Sequence, residues 1–449
     1  MKFDDFATRV FEKTKSINAE VELYKLRSET KKIDVFQGEI DKFSFSESTG
    51  VSLRTIIDGR QGYAYAEALD DKSLDLIIEG ALDNSKSVES EIKFLLPQVN
   101  EEYNYIEPKF DKFDSLTDKE KIALMIDLEG KTLSLDERMT AIQLCSYVEF
   151  RNERSIKNSN GIDINYRGVG GFAYISVVAS ENGDVKTGSS YTLFADPSQI
   201  DIENLSKEAV DEAISMFGAR PVKSGNYKVV MRNNVFTELL ESFIPVFSAD
   251  DVQKGLSGLK GKLGEKVASS EITLVDDPSS IHTYTRTPFD DEGVATMKKE
   301  VIKNGVLTTF LHNSKTAAVD GIASTGNGFR SSYKAAVGIK PVNFYLAQGN
   351  TVFDKMMTSA EGGLLITGVA GLHSGLDTVS GDFSIQAHGY KIKNGKRDAP
   401  VNEITISGNF FDLLQNIVSV GSDLRFGIPG DGHFGSPSVL VKSISISGI

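Results

Sequence analysis

The stretch that decides the expected fold, residues 361–449, contains Thr-Val-Ser-Gly-Asp-Phe-Ser at 378–384, Asn-Glu-Ile-Thr-Ile-Ser-Gly-Asn at 402–409 and Gly-Ser-Pro-Ser-Val-Leu-Val at 435–441. Short apolar runs alternate here with polar residues and are interrupted by glycine, a pattern typical of strands joined by tight turns. Two Asn-Gly pairs, at 304–305 and 394–395, predict hairpins because Asn-Gly readily adopts the positive φ angles of a primed turn. Almost everything beyond residue 271 therefore predicts a β-rich region, folded as a curled sheet or a partial barrel.

The first half of the chain mixes helices with strands. Asp58-Gly59 joins two strand-like runs as a predicted hairpin. Thr117 and Glu120 have the spacing of a capping box at the start of a helix. Strands followed by a helix occur twice, in 20–87 and in 140–218, which we interpret as a weak internal duplication. Two unrelated hairpin turns are the alternative interpretation.

Length and composition predict two domains in an α+β protein. The 449 residues and 49.0 kDa exceed what one hydrophobic core usually supports. Proline and glycine interrupt the pattern at 220–225, just before an apolar strand. We therefore expect a mixed α/β N-terminal domain at 1–220 and a β-rich C-terminal domain at 221–449.

The charge pattern argues against nucleic-acid and membrane partners. Formal net charge is −14, and the 49 Lys and Arg residues are scattered rather than gathered into the positive stripe that phosphate binding requires. No apolar run is long enough to span a membrane, and the N-terminus lacks the apolar segment of a secretion signal. We expect a cytoplasmic protein whose single cysteine, Cys145, is a buried structural thiol.

Residues suited to hydrolytic chemistry are sparse. A catalytic zinc needs about three protein ligands, but no two of the five histidines lie within five residues of each other. A metal held by His373, His388 and His433 is one alternative, and ordinary turn or surface histidines are the other. Glu238 and Glu241, on a predicted helix at 234–247, share a face that we expect to be solvated.

A cleft for extended peptide is the remaining hypothesis. Asn327 and Arg330 in one segment, and Asp382 and Ser384 in another, combine amide, guanidinium, carboxylate and hydroxyl groups at expected loops or strand ends. Such accessible groups can hold a peptide that adds to a sheet edge. The alternative is that they satisfy loop backbone groups internally.

The glycine-containing stretches together resemble the TldD/PmbA family, zinc-peptidase-related proteins also called modulators of DNA gyrase. The resemblance includes Gly-Val-Ser-Leu-Arg at 50–54, Phe-Asp-Asp-Glu-Gly at 289–293 and the C-terminal run quoted above, and it covers nearly the whole chain. It implies an N-terminal α/β domain, a β-rich C-terminal domain, and a dimer with an interior cleft for unfolded peptide.

The resemblance also implies a division of labour between subunits. The peptidase subunits of the family carry His-Glu-x-x-x-His on a helix, whereas the corresponding segment here, 236–242, contains no histidine. The chain thus resembles the PmbA or TldE type, with no catalytic residue, no cofactor of its own, and zinc only in a TldD-type partner. It would form a homodimer or a heterodimer. His388, where a small residue is expected, joins the candidate peptide-binding residues.

Two further functions stay open from the sequence. One is a divergent metallopeptidase that uses the C-terminal histidines, and the other is a peptide-binding module without a role in proteolysis. The leading hypothesis is a subunit that binds unfolded peptides for cytoplasmic proteolysis or peptide processing.

Overall fold

The computed structural model describes residues 1–17, 19–87, 95–99 and 103–449. Its first half is one six-stranded antiparallel sheet with helices packed on it. The helices are α1 (Phe3–Thr14), α2 (Asp71–Ser87), α3 (Phe110–Phe113), α4 (Asp118–Ser134) and α5 (Ile202–Ile214). The strands are β1 (Glu20–Phe36), β2 (Glu39–Ile57), β3 (Arg60–Ala66), β4 (Met139–Asn158), β5 (Asp163–Glu181) and β6 (Asp184–Phe194).

The order of the strands in this sheet is symmetric about its centre. It runs β3-β2-β1-β4-β5-β6, so that each half of the sheet is a three-stranded meander. Each meander is preceded by one long helix and followed by another, α1 and α2 in one unit and α4 and α5 in the other. Turns with two consecutive positive φ angles, Asp58-Gly59 and Asn182-Gly183, close equivalent hairpins. This order is the one that a repeated helix–meander–helix unit would produce.

Two glycines let the following helix approach each meander closely. A side chain at Gly62 on β3 would overlap the carbonyl oxygen of Ala81 in α2. A side chain at Gly188 on β6 would likewise overlap the carbonyl oxygen of Ala209 in α5. In both units, therefore, a glycine on the third strand allows the following helix to pack closely against the sheet.

The hairpin of β1 and β2 extends beyond the end of β3. β3 pairs only with residues 51–57 of β2, so within the described chain residues 39–50 have a partner on one side alone. The side chains of Phe36, Ile40, Phe43 and Phe45 are exposed here, each by 45–56%. The Glu129 carboxylate of α4 stabilises the turn, because it accepts hydrogen bonds from the backbone N–H groups of residues 37 and 38, at 2.9 and 2.6 Å.

Local expectations for this half are confirmed, with one difference. The Thr117–Glu120 capping box is present, with both reciprocal hydrogen bonds. The apolar pattern of 140–167, which predicts several separate short strands, instead belongs to the long strands β4 and β5, whose pairing continues from Lys157–Asp163 to Met139–Ala179. Polar residues interrupt the apolar pattern because one face of these strands lies under the second half of the chain rather than against a helix.

The second half of the chain contains short helices and many strands. The helices are α6 (Asn233–Ser242), α7 (Ala249–Lys254), α8 (Ser314–Asp320), α9 (Phe353–Ser359) and α10 (Phe410–Asn416). The first seven strands are β7 (Gly225–Met231), β8 (Leu274–Asp276), β9 (Lys299–Lys303), β10 (Val306–Leu307), β11 (Gly328–Phe329), β12 (Gly338–Ile339) and β13 (Asn343–Leu346). The others are β14 (Leu364–Ala370), β15 (Asp382–Lys393), β16 (Lys396–Asn409), β17 (Ile417–Val420), β18 (Arg425–Phe426), β19 (His433–Ser436) and β20 (Val439–Ser447).

A closed five-stranded barrel forms the centre of this half. Strands pair in the order β16-β15-β14-β7-β20, and a further pairing of β16 with β20 closes the ring. The expected α+β class with a β-rich second half is confirmed, and the barrel is closed rather than partial. The helices α8, α9 and α10 lie in the region expected to hold strands and turns, because each is only seven residues long and too short for a clear helical period.

A second sheet lies beside the barrel, with the order β10-β9-β8-β13-β19-β18. α6 connects the two layers, since it packs against β14 of the barrel and β18 and β19 of the second sheet. The ring of Phe243, at the end of α6, stacks on Phe410 of α10 with centroids 4.4 Å apart and also contacts Phe383 of the barrel strand β15 at 6.5 Å. These contacts hold α6 between the barrel and the second sheet.

Candidate functional site

A buried ion network joins the two halves of the chain. Glu22 on β1 and Arg54 on β2 stand directly opposite each other and are bonded at 2.6 Å. Arg54 also binds Glu292 of the second half at 2.7 Å, and Glu22 accepts a bond of 2.7 Å from Arg330. Their side chains are at most 4% exposed. Because such charges are stable only when paired, the network fixes how the halves dock.

The segment around Asp291 completes this junction. Its carboxylate accepts hydrogen bonds from Arg154 of β4, at 3.1 Å, and from the backbone N–H of Arg330, at 2.8 Å. Neighbouring Asp290 accepts the N–H of Gly328 at 2.8 Å, which holds β11 in place. The acidic run at 290–292 thus binds both the first sheet and the β11 segment.

A cleft of about 350 Å³ opens beside this junction, and we call it the central cleft. The first sheet forms one wall, and residues 284–287, 329–331 and 429–432 form the other. Its lining combines five aromatic rings with four cationic side chains: Tyr24, Phe150, Tyr166, Tyr284, Phe329, Arg154, Arg286, Arg330 and Lys340. A concave surface that combines aromatic rings with a few charged groups is typical of a ligand site.

A second cavity of about 520 Å³, here the side cavity, adjoins the central cleft. The two share Tyr166, Val169, Tyr284 and Arg286 as a common wall. The side cavity extends toward Lys109 and Lys112, so the two form one elongated depression suited to an extended chain.

The first pair of predicted site residues lies at the junction. Asn327 is fully buried, and its amide binds Asp276 at 2.8 Å and the carbonyl of Lys340 at 2.9 Å. Asn327 can therefore stabilise the segment next to the cleft, but it does not line the cleft itself. Arg330 lines the central cleft, but the expectation of an accessible guanidinium is wrong, because its side chain has no exposed surface and is held by Glu22 and the Asp291 carbonyl.

The other predicted residues lie on a different surface. Asp382, Ser384 and His388 follow one another along one face of β15, on the barrel. Asp382 accepts hydrogen bonds from Asn409 at 2.9 Å and from the Ser380 hydroxyl at 3.0 Å. In the described part of the chain, no hydrogen bond or cavity joins this face to the central cleft. The structure thus separates the predicted residues into two groups.

The position of His388 has a physical explanation. It pairs with Gly368 on β14, and a side chain at Gly368 would occupy the space of the imidazole ring. Burial lowers the pKa of His388, so the ring is neutral at neutral pH. It borders a cavity of about 390 Å³ on the barrel, with Gln386, Glu403 and Thr405.

α6 carries two carboxylates, Glu238 and Glu241, and no imidazole. Burial raises the pKa of Glu238 to about 7, with a smaller contribution from Glu241. The expectation of a solvated Glu238 is therefore wrong, since the side chain lies partly buried against the first half of the chain. Across the described residues, no group of three or more His, Cys, Asp or Glu side chains is placed to hold a metal. The residues present therefore do not fit a catalytic zinc.

The raised pKa of Glu238 predicts a pH dependence of stability. Between about pH 4.5 and 7 the folded chain binds this proton more tightly than the unfolded chain, so the free energy of unfolding falls as pH rises. Glu238→Gln removes this loss. We expect the variant to gain on the order of 1–2 kcal/mol over wild type between pH 5 and pH 8, allowing for solvent screening. Urea unfolding at both pH values measures this difference.

Glu12→Gln is the control for that prediction, because Glu12 is an exposed helical glutamate. Its effect should be equal at pH 5 and pH 8. An equal effect of Glu238→Gln at both pH values would show that Glu238 is ionised as an ordinary carboxyl group.

Sequence reasoning missed the loop that forms much of the cleft. Residues 282–287 read His-Thr-Tyr-Thr-Arg-Thr, and Tyr284 and Arg286 line both cavities. The one available signal was the spacing of an aromatic and a basic residue two apart, which places both on one side of an extended segment.

Comparison with known proteins places this combination of a long-stranded sheet, a closed barrel and the central cleft in a class related to metallopeptidases. Family models match the chain three times: PmbA/TldA metallopeptidase domain 1 at 21–85, the central domain at 111–217 and the C-terminal domain at 224–448. The chain belongs to the PmbA/TldD family.

Individual relatives agree with this assignment. The chain is similar to the crystal structure of a proposed modulator of a DNA gyrase from Thermotoga maritima, with 35% identity, a TM-score of 0.91 and coverage of 99% of this chain and 100% of that one. Metalloprotease PmbA of Escherichia coli O157:H7 is 26% identical over 92% of this chain and 88% of its own length. TldE from Thermococcus kodakarensis shares the fold, with a TM-score of 0.90, 23% identity and coverage of 99% and 100%.

Proposed function

We propose that this chain is a PmbA/TldE-like subunit of a TldD-type metallopeptidase system, which binds unfolded peptide and is not catalytic by itself. The observation that carries the proposal is α6. At the helix where the peptidase subunits of the family place two histidines and a glutamate, this chain presents Glu238 and Glu241 with no imidazole. Zinc sites with hydrolytic activity depend on such nitrogen ligands.

The central cleft supports the peptide-binding part of the proposal. Its aromatic rings offer apolar contact area, and Arg286, whose only hydrogen bond within the described chain is from Nε, offers donors to a backbone carbonyl or a carboxylate. The side cavity lengthens this surface, so a chain in extended conformation could lie along both. We propose unfolded segments or small peptides in the cytoplasm as the ligands. None of the helices in the described ranges is long and apolar enough to cross a membrane.

A partner subunit is part of the same proposal, either a second copy or a TldD-type chain that holds the zinc. The projecting β1–β2 hairpin supports it, since it combines four exposed apolar side chains with a strand edge that is open along residues 39–50 of the described chain. Open edges and exposed apolar patches favour association with another chain.

Reconstitution with a peptidase subunit tests the proposal. The purified chain should bind short unstructured peptides but not cleave them, and adding a homologue that carries His-Glu-x-x-x-His should produce hydrolysis that a chelator abolishes. Fluorescence anisotropy follows binding, and mass spectrometry follows cleavage.

Three outcomes would contradict the proposal in different ways. Chelator-sensitive cleavage by the chain alone would indicate a divergent metallopeptidase. Peptide binding without any effect on the homologue's activity would indicate a binding module outside proteolysis. Failure to bind any peptide would remove the cleft from the proposal.

A further inference from the structure

Arg286 differs from the other cations of the central cleft because its guanidinium has no acidic partner among the residues that the structure describes. Its Nε donates one hydrogen bond to the carbonyl of Ser280, at 3.2 Å. Within the described residues its two terminal nitrogens make no hydrogen bond or ion pair. By contrast, Arg154 is bonded to Asp291 and Lys340 to Asp431. Arg286 therefore has donors available for a ligand.

The position of Arg286 is as distinctive as its lack of a partner. It lines the central cleft, the side cavity and a third cavity of about 280 Å³ that reaches Pro288 and Lys298. Tyr166 lines all three as well. A ligand extending from the central cleft to the side cavity would pass the Arg286 guanidinium.

The carboxylates around these cavities do not neutralise this cation. Asp291 and Asp431 in the central cleft have the partners just described. In the side cavity, Asp196 accepts hydrogen bonds from Ser198, at 3.1 Å from the backbone and 2.6 Å from the hydroxyl. Glu107 is exposed at the rim and is not within ion-pair distance of Arg286 in the described chain.

Two lysines add to the positive charge on the same side. Lys109 and Lys112 line the side cavity, and neither takes part in an ion pair with a described residue. Arg286, Lys109 and Lys112 therefore outnumber Glu107 and Asp196, the two carboxylates that line the side cavity, in a chain with a net charge of −14. Such a local excess of positive charge within a concave surface favours anionic ligands.

We propose that Arg286 binds a carboxylate of the peptide, so that the cleft selects peptides with a free C-terminus or an acidic side chain at the point where the two cavities meet. The planar guanidinium matches a carboxylate with two parallel hydrogen bonds, which adds direction as well as charge. Tyr166 and Tyr284 line the same two cavities as Arg286 and would add apolar surface near the pair. This inference rests on the proposed peptide-binding function and names its substrate class.

Matched peptides test the inference on the whole, unmodified chain. Short fluorescent peptides of Ala, Gly and Val, with either a free C-terminal carboxylate or a C-terminal amide, should differ in affinity by about tenfold or more, as expected for a charge-assisted bidentate bond. In amidated peptides, an internal Glu compared with Gln distinguishes a side-chain carboxylate from the terminal one as the source.

Variants locate the effect at Arg286. Arg286→Gln should bind acid and amide peptides equally and with the affinity that wild type has for the amide. Arg286→Lys should keep part of the preference, because it retains charge without the paired donors. Arg220→Gln is the matched control outside the cleft and should keep the full preference, since Arg220 is exposed and lines none of the three cavities. Thermal melting of each variant checks folding.

The outcomes separate this inference from the proposed function. Equal binding of acid and amide peptides by wild type would overturn the role of Arg286 and leave peptide binding intact. A preference that survives in a folded Arg286→Gln variant would also overturn it. Absence of binding to every peptide would overturn both.

Discussion

Arg54→Ala is expected to lower the free energy of unfolding by about 3–5 kcal/mol. The substitution removes the one cation that bonds Glu22 and Glu292 together across the two halves. Both carboxylates are at most 2% exposed and would be left buried with an incomplete set of partners. Urea unfolding of the wild type and the variant at neutral pH measures the difference.

Arg27→Ala is the control for this prediction. Arg27 is also an arginine of the first sheet with a cross-strand acid, Glu47, but both side chains are more than 40% exposed. Its removal should leave the unfolding midpoint almost unchanged, because exposed ion pairs contribute little. A similarly small effect of Arg54→Ala would mean that the buried carboxylates are neutral or rehydrated in the folded chain.

Gly62→Ala should destabilise the chain by about 3 kcal/mol, at the upper end of the usual cost of overpacking. The added methyl group would overlap the backbone of α2 at Ala81, and a backbone atom cannot rotate away as a side chain can. α2 must therefore move off the sheet. Gly188→Ala in the second unit should cost a similar amount, because the same overlap occurs with α5 at Ala209.

Gly130→Ala should change the free energy of unfolding in the opposite direction. Gly130 lies inside α4 with no atom near the added methyl group. Alanine there should stabilise the helix by about 0.5–1 kcal/mol. The denaturant midpoints of Gly62→Ala, Gly188→Ala and Gly130→Ala, each compared with wild type, measure these changes in stability. A neutral Gly62→Ala would show that α2 does not rest on β3 as the structure places it.

The parts of the fold that could be predicted from the sequence are those that a few neighbouring residues determine. Asp58-Gly59, Asn304-Gly305 and Asn394-Gly395 all adopt two consecutive positive φ angles, as their dipeptide chemistry requires. The capping box at Thr117 depends on residues three apart and is confirmed as well. The pairing of β1 with β4 has no such local signal, because it joins Glu22 to Asn158 across the chain.

The contacts of the candidate site also join residues far apart in the chain, and the sequence gives no local signal for them. The stretches at 50–54 and 289–293 were each noticeable in the sequence, but nothing in either indicates that Arg54 binds Glu292, 238 residues away. Arg330 was recognised as a residue of interest, whereas its burial depends on Glu22 from the opposite half. Arg286 was missed because its significance is the absence of a partner within the described chain, and only three-dimensional placement shows this.

The closed barrel places a constraint on biosynthesis. β7 is the first of its five strands to leave the ribosome, and β20, which pairs with both β7 and β16, is the last. Until residues 439–447 are translated, β7 and β16 each lack one neighbouring strand, β20. The backbone groups on that edge are unpaired and can pair with other chains. The interval that most exposes a nascent copy of this protein to aggregation is therefore the synthesis of the second half. Truncated translation products ending before residue 439 should depend on chaperones far more than the full chain.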